Sequence, residues 1–165
     1  MTTTQRFINQ LQEEANTTRK MLSAVPDEKL DWQPHPRSMT IRRLAGHIAE
    51  LPGWVTMTMN TNGLDFANNG YKPVSINNRE ELLQYFEKEL TGGIAALQNA
   101  KDEDLKPIWT LRNGDVILSE RPKEDVITMS ISQIIHHRAQ LGVFLRLLDI
   151  PIPGSYGPSA DEMPL

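Results

Sequence analysis

The chain has 165 residues, of which 39% are hydrophobic and 23% charged, and a formal net charge of −4. That length suits a single domain, 1–165, with a core large enough to need no staples. No block of lysine and arginine stands out, which excludes an ordinary nucleic-acid footprint. No apolar run approaches the roughly 20 residues of a membrane span. The polar start Met1-Thr2-Thr3-Thr4 lacks an apolar signal core, so a cytoplasmic location is expected. The absence of cysteine rules out disulfides, thiolate metal sites and a cysteine nucleophile.

Helical periodicity dominates the pattern. A first helix is predicted from about Thr3 to Ala24, with Phe7, Leu11, Met21, Leu22 and Val25 on one side. Pro26 breaks it, and Trp32-Gln33-Pro34-His35-Pro36 reads as a loop because each proline biases its predecessor toward extended backbone. His35, between two prolines, is expected at the surface. A second helix runs from about Thr40 to Asn60 on the stripe Ile41, Leu44, Ile48, Leu51 and Val55, and Pro52 should kink it. Residues 61–76 form a long connection. Asn77 and Glu80 have the form of a capping box, leading into a third helix with Leu83, Phe86, Leu90, Ile94 and Leu97. Its Gly92-Gly93 pair weakens it by roughly 1 kcal/mol per glycine relative to alanine. Two short apolar runs, 108–112 and 115–119, flank Asn113-Gly114, the signature of a hairpin with a two-residue type I′ turn. A last helix is predicted from about Glu124 to Leu148, followed by an irregular tail rich in proline and glycine. Four amphipathic helices with one small hairpin define an all-α four-helix bundle. The long connections permit crossovers.

The chemistry-bearing residues sit on the second and last helices. On the last helix, His137 falls inside the apolar arc, with Gln133 and Gln140 one turn away on either side. His136 lies nearer the edge of that arc. On the second helix, His47 lies at the margin of the buried face and Glu50 further round, toward solvent. Imidazoles projecting from facing helices are how bundles build metal sites. The competing reading is a pair of part-buried histidines satisfied by amide or backbone groups. Arg138 also falls within the apolar arc and needs a partner there. The nearest carboxylates in sequence are Asp161 and Glu162, so Arg138 is expected to anchor the tail or a dimer contact. Trp54 and Trp109 either line a pocket or belong to the core. No phosphate loop, Ser-His-Asp order or di-iron carboxylate pattern is present.

Three segments carry a resemblance: Leu44-Ala45-Gly46-His47-Ile48-Ala49-Glu50-Leu51-Pro52-Gly53-Trp54, His137-Arg138-Ala139-Gln140-Leu141, and Tyr156-Gly157-Pro158-Ser159-Ala160-Asp161-Glu162. Together they resemble the DinB/YfiT-like superfamily of helical-bundle metalloenzymes over essentially the whole chain. The resemblance implies a four-helix bundle, homodimers, and one divalent metal held by three histidines, one on helix 2 and two on the last helix. It also implies activities such as thiol transfer and thiol-dependent isomerisation. Carried over by position, His47 and His137 are two of the ligands and the third position falls on Gln133. Glutamine offers only a neutral carbonyl oxygen, a weaker ligand for zinc or nickel. Two functions therefore stand side by side. One is a metal-dependent transferase or hydrolase acting on a small molecule at His47, His137 and Gln133. The other is a metal-free bundle that binds a small molecule or dimerises.

Overall fold

The computed structural model describes residues 1–69 and 72–163. Four long helices build the core: α1 (Thr3–Ser23), α2 (Ile41–Asn60), α4 (Arg79–Gln98) and α5 (Lys123–Leu147). A four-residue helix, α3 (Phe66–Asn69), and three strands, β1 (Gly63–Asp65), β2 (Ile108–Asn113) and β3 (Val116–Pro122), fill the two long connections. Gly70 and Tyr71, within the connection expected over 61–76, lie outside the described residues.

Three of the four long helices, α1, α2 and α4, start where side-chain chemistry supplies a cap. Thr2 accepts from the Gln5 N–H, and Thr40 from the Arg43 N–H. These bonds satisfy amides that have no partner within the helix. Asp102, in a one-turn helix after α4, adds its carboxylate to the Thr3 and Thr4 N–H groups at 2.9 and 3.0 Å. The cap of α4 is Asn78, one residue later than the predicted Asn77, and its side chain accepts from Glu81 N–H. Glu81 rather than Glu80 closes back, on the Asn77 N–H. Adjacent asparagines and adjacent glutamates make either register possible in sequence. The buried stripe of α4 is Leu82, Phe86, Leu90, Gly93 and Leu97, with the predicted Leu83 and Ile94 partly buried on its flanks.

The principal contacts of α1 are with α4 and α5, and those of α2 are with α4 and α5. Consecutive helices α1 and α2 therefore occupy opposite corners of the bundle, as do α4 and α5. This is a crossover arrangement and not a simple up-and-down bundle. The α2–α4 seam is close because glycine lines it. A Cβ built on Gly93 would stand 2.7 Å from the Pro52 carbonyl oxygen. Gly93→Ala is therefore expected to destabilise the fold by about 2 kcal/mol through overpacking, despite alanine's better helix propensity. Urea unfolding of the two proteins measures this, and equal midpoints would mean the seam yields freely.

The hairpin forms with its turn shifted by one residue. Asn113 pairs with Val116, so the turn residues are Gly114 and Asp115. Among the described non-glycine residues only Asp149 has positive φ, while Gly114 has φ +60°. A type I′ turn needs positive φ at both central residues, so the predicted turn type is replaced by one that needs glycine only at its first position, as type II′ does. A bulge at Leu111/Arg112 absorbs the change of register. Strand β1, invisible in the sequence, pairs in parallel with β2 to complete a three-stranded sheet of order β1-β2-β3. Asp65 ties that edge to the turn by accepting from Gly114 N–H at 2.9 Å. Among the described residues no helix is long and apolar enough to cross a membrane.

Candidate metal centre

His47 sits two turns into α2, on a side of the helix shared by Arg43, Glu50, Trp54 and Met57 at spacings of three and four. His137 sits midway along α5. The packing of α2 on α5 brings their rings to a centroid separation of 4.8 Å, edge to face. His136 is exposed, and its ring lies 4.9 Å from that of His137. His137 is only partly buried, so the pair lies at the margin of the bundle and not in its centre. The fourth histidine, His35, is exposed in its loop as expected.

Each ring of the pair is held by an oxygen one helical turn further on. Glu50 Oε1 lies 2.5 Å from His47 Nδ1, and Gln140 Oε1 lies 2.7 Å from His137 Nδ1. A carboxylate or amide oxygen accepts, so Nδ1–H donates in both cases, and a ring in its neutral form then carries its lone pair on Nε2. This matches the arrangement in which a metal-binding histidine gives its second N–H to an outer oxygen. Burial, together with the nearby charges of His47, His136 and Arg43, holds His137 below the ordinary imidazole range, against the bond to Gln140. Its ring is therefore neutral at physiological pH, as a ligand must be.

Two expectations about neighbouring charges are corrected. Glu50, placed toward solvent by helical projection, is 7% exposed. It is drawn inward by His47 and by Arg43, whose Nη1 stands 3.9 Å from its Oε1. The His47–Glu50 spacing of three residues was the available signal. Arg138, fully buried, is paired with Glu14 of α1 at 2.7 Å and not with Asp161 or Glu162. The tail is nevertheless anchored there, because Tyr156 OH donates to Glu14 Oε1 at 2.8 Å and lies 3.3 Å from Arg138 Nη2. Asp161 instead binds Arg146 and the Ile152 N–H, which pull its carboxyl down to about 2. Glu162 accepts from Gly154 and Ser159 N–H groups.

Gln133 lies one turn before His137 on α5 and is partly buried. Among the described residues, no cluster of three or more His, Cys, Asp or Glu side chains is placed to hold an ion. Two cavities adjoin residues of the site. His137 and Gln140 help line one of about 270 Å³ with Arg37, Met39, Leu44 and Phe144. Glu50 opens onto another of about 230 Å³ between α2 and α4. A larger cavity of about 450 Å³, beside Asn99 and Lys123, has no histidine on its wall.

The chain is a crossover four-helix bundle with an imidazole pair between α2 and α5. A family model described as the DinB family matches residues 1–164, so the chain belongs to the DinB family. It is 26% identical to the uncharacterized protein YrdA of Bacillus subtilis (strain 168) over 97% of this chain and 92% of that one. A DinB-like protein from Bacillus cereus ATCC 10987 has the same fold, with a TM-score of 0.72 at 24% identity over 91% of this chain and 95% of that one. YfiT from Bacillus subtilis, described as a probable metal-dependent hydrolase with an unusual four-helix bundle topology, superposes with a TM-score of 0.66 at 13% identity. That match covers 90% of this chain and 89% of YfiT.

Proposed function

We propose that the chain is a metal-dependent enzyme of the DinB family, acting on a small molecule by hydrolysis or thiol transfer at the His47–His137 pair. The observation that carries this reading is the matched pair of outer-oxygen bonds, Glu50 to His47 Nδ1 and Gln140 to His137 Nδ1. Two histidines packed only for structure have no need for both to hold Nδ1 on an oxygen one helical turn further on. The donor set fits a divalent ion of the zinc or nickel type, to which two neutral imidazoles are well suited. His47 and His137 would hold it, with Gln133 supplying a carbonyl oxygen or leaving that position to solvent. When bound, such an ion supplies Lewis acidity to an incoming water or thiol. The chain's own contribution is orientation. Glu50 aims His47, Gln140 aims His137, and Arg43 offsets the negative charge of Glu50.

A second reading keeps the bundle and drops the metal, leaving a small-molecule-binding or dimerisation module. Gln133 favours it, because a catalytic zinc ordinarily has three protein ligands. Elemental analysis of protein purified without a histidine tag or chelator separates the two. Roughly one zinc or nickel per chain is expected in the parent, lost together with metal-dependent thermal stabilisation in His47→Ala and His137→Ala. Metal content that ignores both substitutions would leave the second reading standing.

A further inference from the structure

The cavity of about 230 Å³ that Glu50 opens onto is lined by Gly53, Trp54 and Met57 of α2, Leu64 of β1, and Tyr85 and Glu89 of α4. Its walls are largely apolar and aromatic, the usual character of a small-molecule site. The Trp54 wall is braced from behind. Trp109, 2% exposed, packs against it at a ring separation of 6.4 Å, and Trp109 Nε1–H is fixed by Thr61 Oγ1 at 3.0 Å.

Into this apolar lining α4 projects one carboxylate. The Glu89 side chain is 22% exposed, and among the described residues no N–H or O–H group donates a hydrogen bond to it. The cation that approaches it, Lys88 Nζ, stands 3.9 Å away on a side chain 78% exposed, an ion pair of little strength. Burial pushes the Glu89 carboxyl up, and the charge of Glu50 adds to the effect against Lys88. The carboxylate rests on Gly53, where any Cβ would overlap it. Glycine on α2 thus makes the room that lets Glu89 lie inside the cavity. A glutamate on a surface helix can turn to water at little cost, whereas this one is kept among Trp54, Met57, Leu64 and Tyr85 without a hydrogen-bond donor. A ligand carrying a cation would supply the missing partner and gain attraction from the two aromatic faces.

We propose that this cavity is a subsite for an organic cation, an ammonium group carried on an apolar or aromatic body, with Glu89 as its counterion and Trp54 and Tyr85 as its walls. The cavity continues along the same side of α2 as His47. The proposal therefore deepens the function argued above by naming its substrate class, and it rests on that reading only for where the reacting end of the molecule would lie. Recognition of the cation itself requires no metal.

The test uses metal-stripped protein at mildly alkaline pH, where Glu89 is ionised. Three probes on a shared phenylethyl body are titrated calorimetrically: 2-phenylethylammonium, 2-phenylethanol and 3-phenylpropanoate. The ammonium is expected to bind at least tenfold more tightly than the alcohol, and the carboxylate most weakly. Glu89→Gln should erase the difference between ammonium and alcohol while leaving the alcohol's affinity and the metal content unchanged. Equal affinity of the parent for ammonium and alcohol, no binding of any probe, or a preference that survives Glu89→Gln would each overturn the proposal. Metal content insensitive to His47→Ala alongside an intact ammonium preference would overturn the metal reading and leave this one in place.

Discussion

Gln133→His is expected to bind zinc or nickel at least tenfold more tightly than the parent chain, a gain of about 1.4 kcal/mol. The reason lies in helix geometry. Position 133 precedes His137 by four residues on α5, so a side chain there stacks over the same face one turn away. The ring centroids of His47 and His137 already stand 4.8 Å apart, so one further imidazole would bring the set to three nitrogens. Because the helices are already packed, the added ligand pays little new ordering entropy. The melting temperature of the variant should also rise more on addition of metal than that of the parent. Isothermal titration of both proteins, stripped of metal first, decides the matter. Equal affinities would place Gln133 outside the centre, and no binding by either would favour the metal-free module.

Glu14→Ala is expected to destabilise the fold by about 3–5 kcal/mol, the usual consequence of leaving one member of a buried ion pair alone. Arg138 is 1% exposed and Glu14 8%. Without the carboxylate, the guanidinium keeps, among the described residues, only the Glu14 backbone carbonyl and Thr18 Oγ1, each at 3.2 Å, and Tyr156 OH at 3.3 Å. Three neutral acceptors do not compensate a desolvated cation. The paired replacement Glu14→Leu with Arg138→Met should recover most of the loss, because apolar groups of similar volume need no partner. Tyr156→Phe should cost no more than about 1 kcal/mol, since its ring is 74% exposed. Its main effect should be a tail more readily cut by protease. Urea unfolding of the four proteins gives the comparison. A Glu14→Ala variant as stable as the parent would show that water reaches Arg138 and that the pair is not sealed.

Most of the bundle was legible because helical periodicity is a local property. Phe7, Leu11, Met21 and Leu22 of the first helix, Val25 just beyond its end, and Ile41, Leu44, Ile48, Leu51 and Val55 of the second, are all buried as their spacing predicts. The errors sit where two local solutions were nearly equal. Asn77-Asn78 followed by Glu80-Glu81 allows two caps one residue apart, and Asn113-Gly114-Asp115 allows two turns. In each case the neighbours chose: Asp27 Oδ1 receives the Arg79 N–H at the start of α4, and Asp65 receives the Gly114 N–H at the hairpin.

Composition and spacing by themselves determined that this chain is one bundle of four amphipathic helices and that His47 and His137 are its candidate ligands, while Gln133 as the third position is what the resemblance to the DinB/YfiT-like superfamily implies. Those features depend on the period of a helix and on residue identity, which are written along the chain. Tertiary structure alone decided which helices touch, and with that everything built across an interface. The separation of the two imidazoles, the burial of Glu50, the pairing of Arg138 with Glu14 across 124 positions and the glutamate held in an aromatic cavity all arise from contacts between distant segments. A projection of one helix places a side chain relative to that helix's own apolar stripe. It holds no information about the charge on the helix opposite, and that charge decides whether a polar group turns inward or out.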